Sequence, residues 1–386
     1  MSTNPQQPTP LLTKEHEAVL TALTFKMAQL GLSVKALRNE VSVGPVVTVY
    51  RFEPQGSTKV SHIEALSQDF AVILGAEDIV VKRLAGETAV AIFVPNQKRD
   101  VVKWYNVCQV PTEGKPNIPL LMGINHLGKR VLEDLSLFPH LLVAGSTGGG
   151  KSVWMNAEIA TIILNYSPQE VRVALSDIKG VEFNLFRNAP HLLCPTATSV
   201  DDTIALFDRL IQMMEDRLRI FSQKDDKNII EYNNRNTQNR LPYVSLFIDE
   251  LFDILTDKRR PPSDEGRSPR IGEIAQGKLC KLAGKARATG IHIVAATQRP
   301  SVKIIEGDIK ANFPARMSFR LPSEADSRTV LGTSGAEHLL SRGDMLFINP
   351  NKPGIQRIHA PIATAEDIKL AVEYALTSGR GKGLIA

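Results

Sequence analysis

A glycine-rich run that ends in a lysine and a serine is the part of this sequence best suited to chemistry. The letters GSTGGGKS at residues 145–152 match the pattern GxxxxGK[ST], in which backbone amides and a helix N-terminus surround a phosphate. Lys151 would reach the β- and γ-phosphates, and the Ser152 hydroxyl would bind Mg²⁺. The run follows the apolar letters HLLVAG and precedes a helical pattern, as such a loop requires. The sequence therefore predicts a site for ATP and Mg²⁺, formed by Gly145, Ser146, Thr147, Gly148, Gly149, Gly150, Lys151, Ser152 and Val153.

A pair of acidic residues follows a second apolar run further along the chain. The letters YVSLFIDE place Asp249 and Glu250 at the end of a predicted buried strand. Asp249 suits an indirect or water-mediated hold on Mg²⁺, and Glu250 suits the carboxylate that polarises an attacking water. The adjacent glutamate favours a hydrolysing motor over a small-molecule kinase, which must exclude water. We therefore expect an ATPase.

Two polar positions near a third apolar run complete the predicted catalytic set. The letters HIVAATQRP end in Thr297 and Gln298, where a γ-phosphate sensor would lie. The preceding letters AGKARATGIH place Arg287 between a helix and Gly290, from which a guanidinium could stabilise charge on a neighbouring subunit's nucleotide. Taken alone, an arginine in that place is more often a surface charge. The predicted catalytic residues are Lys151, Glu250, Arg287 and Gln298.

Alternating apolar runs and helical segments surround these motifs and predict a parallel sheet flanked by helices. Before them, residues 14–31 have helical periodicity, and the letters VGPVVTVYRFEP and ETAVAIFVPN are typical of strands. The letters VSHIEALSQDFAVILG between those strands predict one amphipathic helix. We therefore predict an α/β P-loop domain preceded by a small α+β domain. The predicted boundaries are a disordered tail at residues 1–14, a small domain at 15–108, a proline-rich linker at 109–120 and a motor domain at 121–386.

Composition narrows the class of protein. The 386 residues are 43% hydrophobic with a net charge of +5 and a pI near 9.0, which suits a globular protein and leans toward an anionic partner. The three cysteines, Cys108, Cys194 and Cys280, lack the spacing of a disulfide framework or a zinc site. No segment resembles a signal peptide or a membrane span. We therefore expect a cytoplasmic chain that does not insert into a membrane.

Several segments together resemble the FtsK/SpoIIIE family of hexameric DNA translocases. The resemblance rests on PHLLVAGSTGGGKS, RNAPHLLCP, PYVSLFIDE, KARATGIHIVAATQRPSV, IKANFPARMSF, DSRTVLG and GDMLF, and the first domain resembles the family's α domain. It implies a ring of RecA-like motors around double-stranded DNA, with each nucleotide held between one P-loop and the next subunit's Arg287. The positions that match the family's two DNA-gripping loops are Arg299, Ser301, Lys310, Asp326, Ser327 and Arg328.

Three features depart from the family's pattern. Larger members carry N-terminal membrane spans and a C-terminal winged-helix module. The resemblance therefore does not extend to septum anchoring or to sequence-guided loading. Whether a separate protein loads or anchors the chain is left open. Glu324 stands where the family often has a lysine, and Arg320 is a possible replacement for that trans phosphate contact. Residues 257–272 resemble an insertion, for which a solvated mobile loop is a better interpretation than a DNA clamp.

Three functions are compatible with these residues. The leading hypothesis is an ATP-driven translocase of double-stranded DNA. A related secretion ATPase that pumps protein is the first alternative, although such proteins usually carry several tandem motors. A DNA-binding scaffold with a silent nucleotide site is the second, and the intact Lys151, Asp249 and Glu250 argue against it.

Overall fold

The computed structural model describes residues 12–76, 78–83, 88–261, 268–305 and 307–378. The chain divides into two compact units, one formed by Met1–Val101 with Ile124–Arg130 and one by Val102–Gly123 with Val131–Ala386. Residues 1–11 of the predicted tail lie outside the described residues. Within the described residues, no helix has both the length and the apolar character needed to cross a membrane.

The first unit is an α+β fold built on an antiparallel sheet. Its helices and strands are α1 (Lys14–Gln29), β1 (Val34–Ala36), β2 (Ser42–Val43), β3 (Val47–Pro54), α2 (Val60–Glu64), α3 (Ser67–Leu74), β4 (Val80–Arg83) and β5 (Val90–Pro95). The strand order is β1-β3-β5-β4, with β2 also paired to β3. The single helix predicted before Gly75 is wrong, because α2 and α3 are separated by a tighter turn in which the Leu66 amide bonds to the Ile63 carbonyl.

The second unit is built on a larger sheet flanked by helices. The strands of this sheet are β6 (Pro119–Asn125), β7 (Arg130–Asp134), β8 (Leu141–Ala144), β9 (Val171–Ser176), β10 (Tyr243–Ile248), β11 (Ile291–Thr297), β12 (Ala315–Phe319), β13 (Asp344–Ile348) and β14 (Ile355–His359). Its helices are α4 (Lys151–Asn165), α5 (Val200–Gln223), α6 (Ile229–Arg235), α7 (Leu251–Leu255), α8 (Ile271–Lys285), α9 (Val302–Ile305), α10 (Asp308–Asn312), α11 (Glu324–Leu331) and α12 (Ala365–Thr377).

The larger sheet has the strand order β7-β6-β14-β13-β12-β8-β11-β10-β9. The adjacent pairs β9–β10, β10–β11, β11–β8 and β8–β12 are parallel, as predicted, whereas β13 pairs antiparallel with both β12 and β14. The central strands are buried on both faces, which explains their continuous apolar sequences. Because β8 lies between β11 and β12, the loop after β8 meets the ends of both neighbours at one edge.

The predicted insertion at residues 257–272 has tightly held ends. The Ile271 amide donates to the Arg259 carbonyl, and the Gly272 amide donates to the Asp257 carbonyl. Residues 262–267 lie outside the described residues. The last two residues of the predicted insertion, Ile271 and Gly272, are the first two residues of α8.

The proline-rich stretch that the sequence suggests as a linker bonds to the phosphate-loop helix α4. Asn165 accepts from the Val110 amide and donates to the Cys108 carbonyl, and the neighbouring Tyr166 hydroxyl donates to the Pro116 carbonyl. Glu158, one to two turns earlier in α4, accepts from the Leu121 amide at 2.7 Å. Side chains on α4 and just after it therefore satisfy backbone groups of this stretch and of the start of β6.

Burial of Glu158 leads to a prediction about stability and pH. Burial raises the pKa of its carboxyl from 4.5 to about 8, against the opposing effect of the Leu121 amide. The folded protein then holds a proton that the unfolded chain releases, so this group's contribution to stability declines as pH rises from about 5 to about 8. In Glu158→Gln the acceptor oxygen remains and nothing titrates.

We therefore expect the melting temperature of Glu158→Gln, relative to wild type, to rise across this pH range. Thermal melts at pH 5, 6, 7 and 8 measure the difference. Glu215→Gln is the control, because the exposed Glu215 carboxylate has a pKa lowered by its hydrogen bond to Lys281 and stays ionised throughout. The prediction would be contradicted if the difference in melting temperature between Glu158→Gln and wild type did not change with pH.

Candidate functional site

The predicted phosphate loop lies between β8 and α4. Gly148 and Gly150 have positive φ angles of 78° and 117°, which favour glycine. At Gly150 an added Cβ would also lie 2.8 Å from the backbone nitrogen of Gly343. The loop can therefore fold closely against the residues before β13 only because this position has no side chain.

Backbone contacts hold this loop against neighbouring strand ends. The Ser146 amide and hydroxyl both donate to the Arg320 carbonyl at 3.0 Å, just after β12. The Gly343 amide donates to the Gly149 carbonyl at 3.0 Å. The loop leads directly into α4, whose first-turn amides can bind an anion. The geometry is that of a preformed phosphate cradle.

Lys151 and Asp249 meet at this edge of the sheet. The Lys151 ammonium donates to the Asp249 carbonyl at 2.6 Å and to its Oδ1 at 2.8 Å. Both side chains are almost fully buried, at 3% and 2% exposure. A charged pair this well buried requires partners on both sides, and here each residue supplies them for the other. The structure thus brings together two residues that were predicted separately from motifs far apart in the chain.

Glu250 and Gln298 also meet, on the next strand end. The Glu250 carboxylate accepts from the Thr297 hydroxyl at 2.7 Å and from the Gln298 amide at 3.0 Å. The Gln298 side-chain oxygen in turn accepts from the Thr147 hydroxyl of the phosphate loop at 3.0 Å. Glu250 is 3% exposed, so its carboxylate orientation is set by these donors. The predicted sensor residue therefore links the phosphate loop to the acidic pair.

A cavity of about 430 Å³ lies over the phosphate loop. It is lined by Ser146, Thr147, Gly148, Gly150, Lys151, Ser152, Val153, Glu182, Gln298, Arg342, Gly343, Ala360, Pro361 and Ile362. Glu182, Arg342 and the stretch 360–362 were not predicted, since no motif with fixed spacing marks them. Arg342 has a positive φ of 68°, a conformation that is uncommon for a residue other than glycine. The lining combines polar phosphate-binding groups with an apolar wall that includes Ala360, Pro361 and Ile362.

Oxygen donors at this cavity fit a magnesium ion. The Ser152 hydroxyl and the Asp249 and Glu182 carboxylates are the ligand chemistry that Mg²⁺ prefers. Burial raises the pKa of the Glu182 carboxyl, and the nearby Asp249 charge adds to the effect while Lys151 and the Ser152 hydroxyl oppose it. The residues present therefore suit the predicted cation.

Arg287 lies at the opposite edge of the same sheet. It is exposed in the short 3₁₀ helix Ala286–Thr289, just before β11, and its Nη2 donates to the Leu137 carbonyl ahead of β8. The phosphate loop follows the far end of β8. Since β11 has 7 residues, the two edges are separated by roughly 20 Å at about 3.3 Å per residue. Arg287 therefore does not reach the phosphate loop of its own chain.

Buried histidines attach the Arg287 segment to the residues that lead into β8. His140 bonds to the Ala283 carbonyl at 2.9 Å and accepts from the Ile293 amide at 3.0 Å, while His292 bonds to the Pro139 carbonyl at 2.9 Å. Burial lowers the pKa of His140 to about 3 and that of His292 to about 4, so both rings are neutral at pH 7. Arg287 therefore projects from a segment that these hydrogen bonds fasten to the residues before β8.

The predicted DNA-contacting residues lie on the segments after β11 and β12. Arg299 is exposed, with its guanidinium 5.7 Å from the Phe252 ring centre, and Ser301 and Lys310 are half-buried. Arg328 is exposed in α11, where its Nη2 and Nε bond to Glu324 Oε1 at 2.6 and 2.8 Å. Arg320 is exposed at the end of β12, on the same edge as the phosphate loop.

The prediction that Ser327 offers its hydroxyl to DNA needs correction. Ser327 is 0% exposed, and its hydroxyl donates to the Thr333 carbonyl and accepts from the Ala336 amide. Both functions of this hydroxyl are therefore used to hold the turn after α11. Asp326 has a local role as well, since its carboxylate accepts from the Ser323 hydroxyl at 2.6 Å at the start of the helix.

Solved structures with the same fold support the predicted architecture. The chain matches the pCW3 conjugation coupling protein TcpA, in its monomer form with ATPγS, with a TM-score of 0.61 and 22% identity over 91% of this chain and 98% of that chain. It matches ATPases 2 and 3 of EssC from Geobacillus thermodenitrificans with a TM-score of 0.58 and 16% identity over 73% and 52%. The predicted RecA-like P-loop fold, preceded along the chain by a small α+β domain, is confirmed.

Sequence relatives place the chain more narrowly. It is 37% identical over 366 residues to the DNA translocase SpoIIIE of Bacillus subtilis strain 168, covering 91% of this chain and 45% of that protein. It is 34% identical over 402 residues to the DNA translocase FtsK of Rickettsia bellii, covering 95% and 51%. The chain thus spans about half the length of these curated relatives. Profiles of the FtsK alpha domain and of the FtsK/SpoIIIE family match residues 2–96 and 109–302 respectively, and the chain belongs to the FtsK/SpoIIIE family.

Proposed function

We propose that this chain is an ATP-driven translocase of double-stranded DNA that works in the cytoplasm as a hexameric ring. The observation that carries the proposal is that Lys151 and Gln298 line one cavity in a member of this family and are bonded there to the acidic pair Asp249 and Glu250. Relatives that are 37% and 34% identical to the chain over the aligned residues are named DNA translocases.

In the proposed mechanism each catalytic residue has a distinct task. The phosphate loop and Lys151 bind the β- and γ-phosphates, and Glu250 accepts a proton from the water that attacks the γ-phosphorus. Gln298 reports on the γ-phosphate, because it bonds both to Glu250 and to Thr147 of the phosphate loop. Ser152 and Asp249 would hold Mg²⁺, which supplies charge neutralisation of the phosphates when bound.

The position of Arg287 supports assembly into a ring. An arginine at the edge opposite the phosphate loop can stabilise transition-state charge only at a nucleotide bound by another subunit. A closed ring in which every subunit offers one edge to its neighbour uses both edges of each chain. The proposed partners are therefore further copies of this chain and duplex DNA.

Grip on DNA is proposed to rest on Arg299, Lys310 and Arg328. Alanine at any one of them removes a charge, so we expect weaker duplex binding for all sequences and a salt dependence shallower by roughly one unit per contact. ATP hydrolysis without DNA should persist, because these side chains lie beyond the strand ends that form the nucleotide site. Filter binding across a salt series with two unrelated duplexes measures both quantities.

The exposed Arg219 on α5 provides the control for this series, since it pairs with Asp216 within its own helix. Arg219→Ala should keep the slope of the wild type. A loss of affinity confined to one duplex would indicate base readout, and an unchanged slope in all three variants would show that these charges do not contact the DNA backbone.

A further inference from the structure

The loop after β9 is anchored beside the acidic pair. Ser176 is in register with Ile248, so Asp177 and Asp249 occupy the ends of adjacent parallel strands. The Asp177 carboxylate, 1% exposed, accepts from the amides of Gly180 at 3.0 Å, Glu182 at 2.7 Å and Phe183 at 3.1 Å. Three amides occupy this carboxylate, so Asp177 organises the loop and is not available to a ligand.

This anchoring directs Glu182 into the nucleotide cavity. Its own amide is bonded to Asp177, and the next residue, Phe183, is 1% exposed in the core. The Glu182 side chain lines the cavity together with Lys151 and Ser152. Constraint on both sides of the residue leaves its side chain directed toward the phosphate loop.

The carboxylates of the acidic pair bond to groups other than Ser152. Asp249 pairs with Lys151, and Glu250 is held by Thr297 and Gln298. A hydroxyl group has one proton to donate and two lone pairs. When Ser152 donates its proton to Glu182, both of its lone pairs are left for a cation.

We infer that Glu182 is a positioning residue of the nucleotide site, which orients the Ser152 hydroxyl toward Mg²⁺ and adds a negative charge beside the cation. The inference rests on the proposed function, since it requires that this cavity binds ATP with Mg²⁺. Partners that orient metal ligands commonly change metal affinity by about 10- to 100-fold when they are replaced. Glu182 therefore influences the Mg²⁺ concentration that nucleotide binding requires.

Glu182→Gln tests this role, because glutamine has nearly the same shape without the charge. The full chain is titrated with a fluorescent ATP analogue in EDTA and then, at fixed analogue, with Mg²⁺. We expect unchanged affinity in EDTA, an unchanged melting temperature, and a Mg²⁺ midpoint raised about tenfold. Glu182→Asp, which restores the charge on a shorter side chain, should return the midpoint part of the way to the wild-type value.

Glu215→Gln on α5 is the matched control, since Glu215 pairs with Lys281 on the surface, and it should keep the wild-type midpoint. A Glu182→Gln midpoint equal to that of the wild type would overturn the inference while leaving the proposed function intact. A wild type that binds no nucleotide would overturn the proposed function, and the inference with it.

Discussion

Glu250→Gln should bind ATP with near wild-type affinity and hydrolyse it about 10²- to 10⁴-fold more slowly, which is the usual contribution of a positioned general base. The amide can still accept from the Thr297 hydroxyl and the Gln298 amide, so the fold of the site should persist. It cannot accept the proton of the attacking water. Coupled ATPase assays beside equilibrium nucleotide binding measure the two effects separately.

Lys151→Ala is the companion variant and should fail earlier in the cycle. It removes the cation that faces the β- and γ-phosphates and leaves the buried Asp249 carboxylate without its partner. We therefore expect loss of both nucleotide binding and turnover, with reduced thermal stability. Ordinary turnover in Glu250→Gln would show that another group activates the water, and Glu182 would be the next residue to test.

Arg287→Ala should bind nucleotide normally and hydrolyse it roughly a thousandfold more slowly, as expected for an arginine supplied in trans. The reason is its position at the opposite edge of the sheet, on a segment held by His140 and His292. Because Arg287 and Lys151 act on nucleotides of different subunits, a mixture of Arg287→Ala and Lys151→Ala proteins should regain activity at mixed interfaces. ATPase rates across mixing ratios measure this recovery.

Lys285→Ala is the matched control for this experiment, because Lys285 is exposed at the end of α8 beside the same 3₁₀ helix. It should keep wild-type turnover. If mixed rings form, as cross-linking of differently tagged chains would reveal, and yet show no recovery, Arg287 is not the shared residue. Arg320 and Arg328 would then be the candidates.

The parts of the site that the sequence predicts best are those with local motifs. Lys151 and Ser152 have fixed spacing to the loop glycines, and Asp249 and Glu250 follow an unbroken apolar strand. Parallel strands end at one edge, so their convergence could be expected from the alternation of strands and helices. The hydrogen bonds among them then follow from the register of β8, β10 and β11.

The parts that the sequence misses come from contacts between distant segments. Glu182 lies in a loop without a recognisable motif, and only its bond to Asp177 and the packing of Phe183 direct it to the cavity. Arg342 enters the cavity through a backbone conformation that residue type does not indicate. Ser327 is the reverse case, a residue that the motif predicts to contact DNA but that is buried. The motif indicates residue type and spacing and does not indicate burial.

Segment composition was also an incomplete guide to order. Prolines at residues 109–120 are compatible with a flexible connection, but here Asn165 and Tyr166 bond to the backbone of the same stretch. Prolines donate no backbone hydrogen bond, so an ordered proline-rich segment depends on such side-chain partners. Those partners lie at the end of α4 and just after it, far away in sequence.

Displacement of a third strand from duplex DNA tests the central claim most directly. A triplex-forming oligonucleotide bound to a duplex should be released by the wild type in the presence of ATP, and not by Glu250→Gln. Release should require a duplex arm long enough for the ring to bind beside the triplex. The proposed function predicts ATP-dependent release together with turnover stimulated by double-stranded DNA. Turnover that ignores DNA and responds instead to a polypeptide, with the triplex left intact, would contradict it.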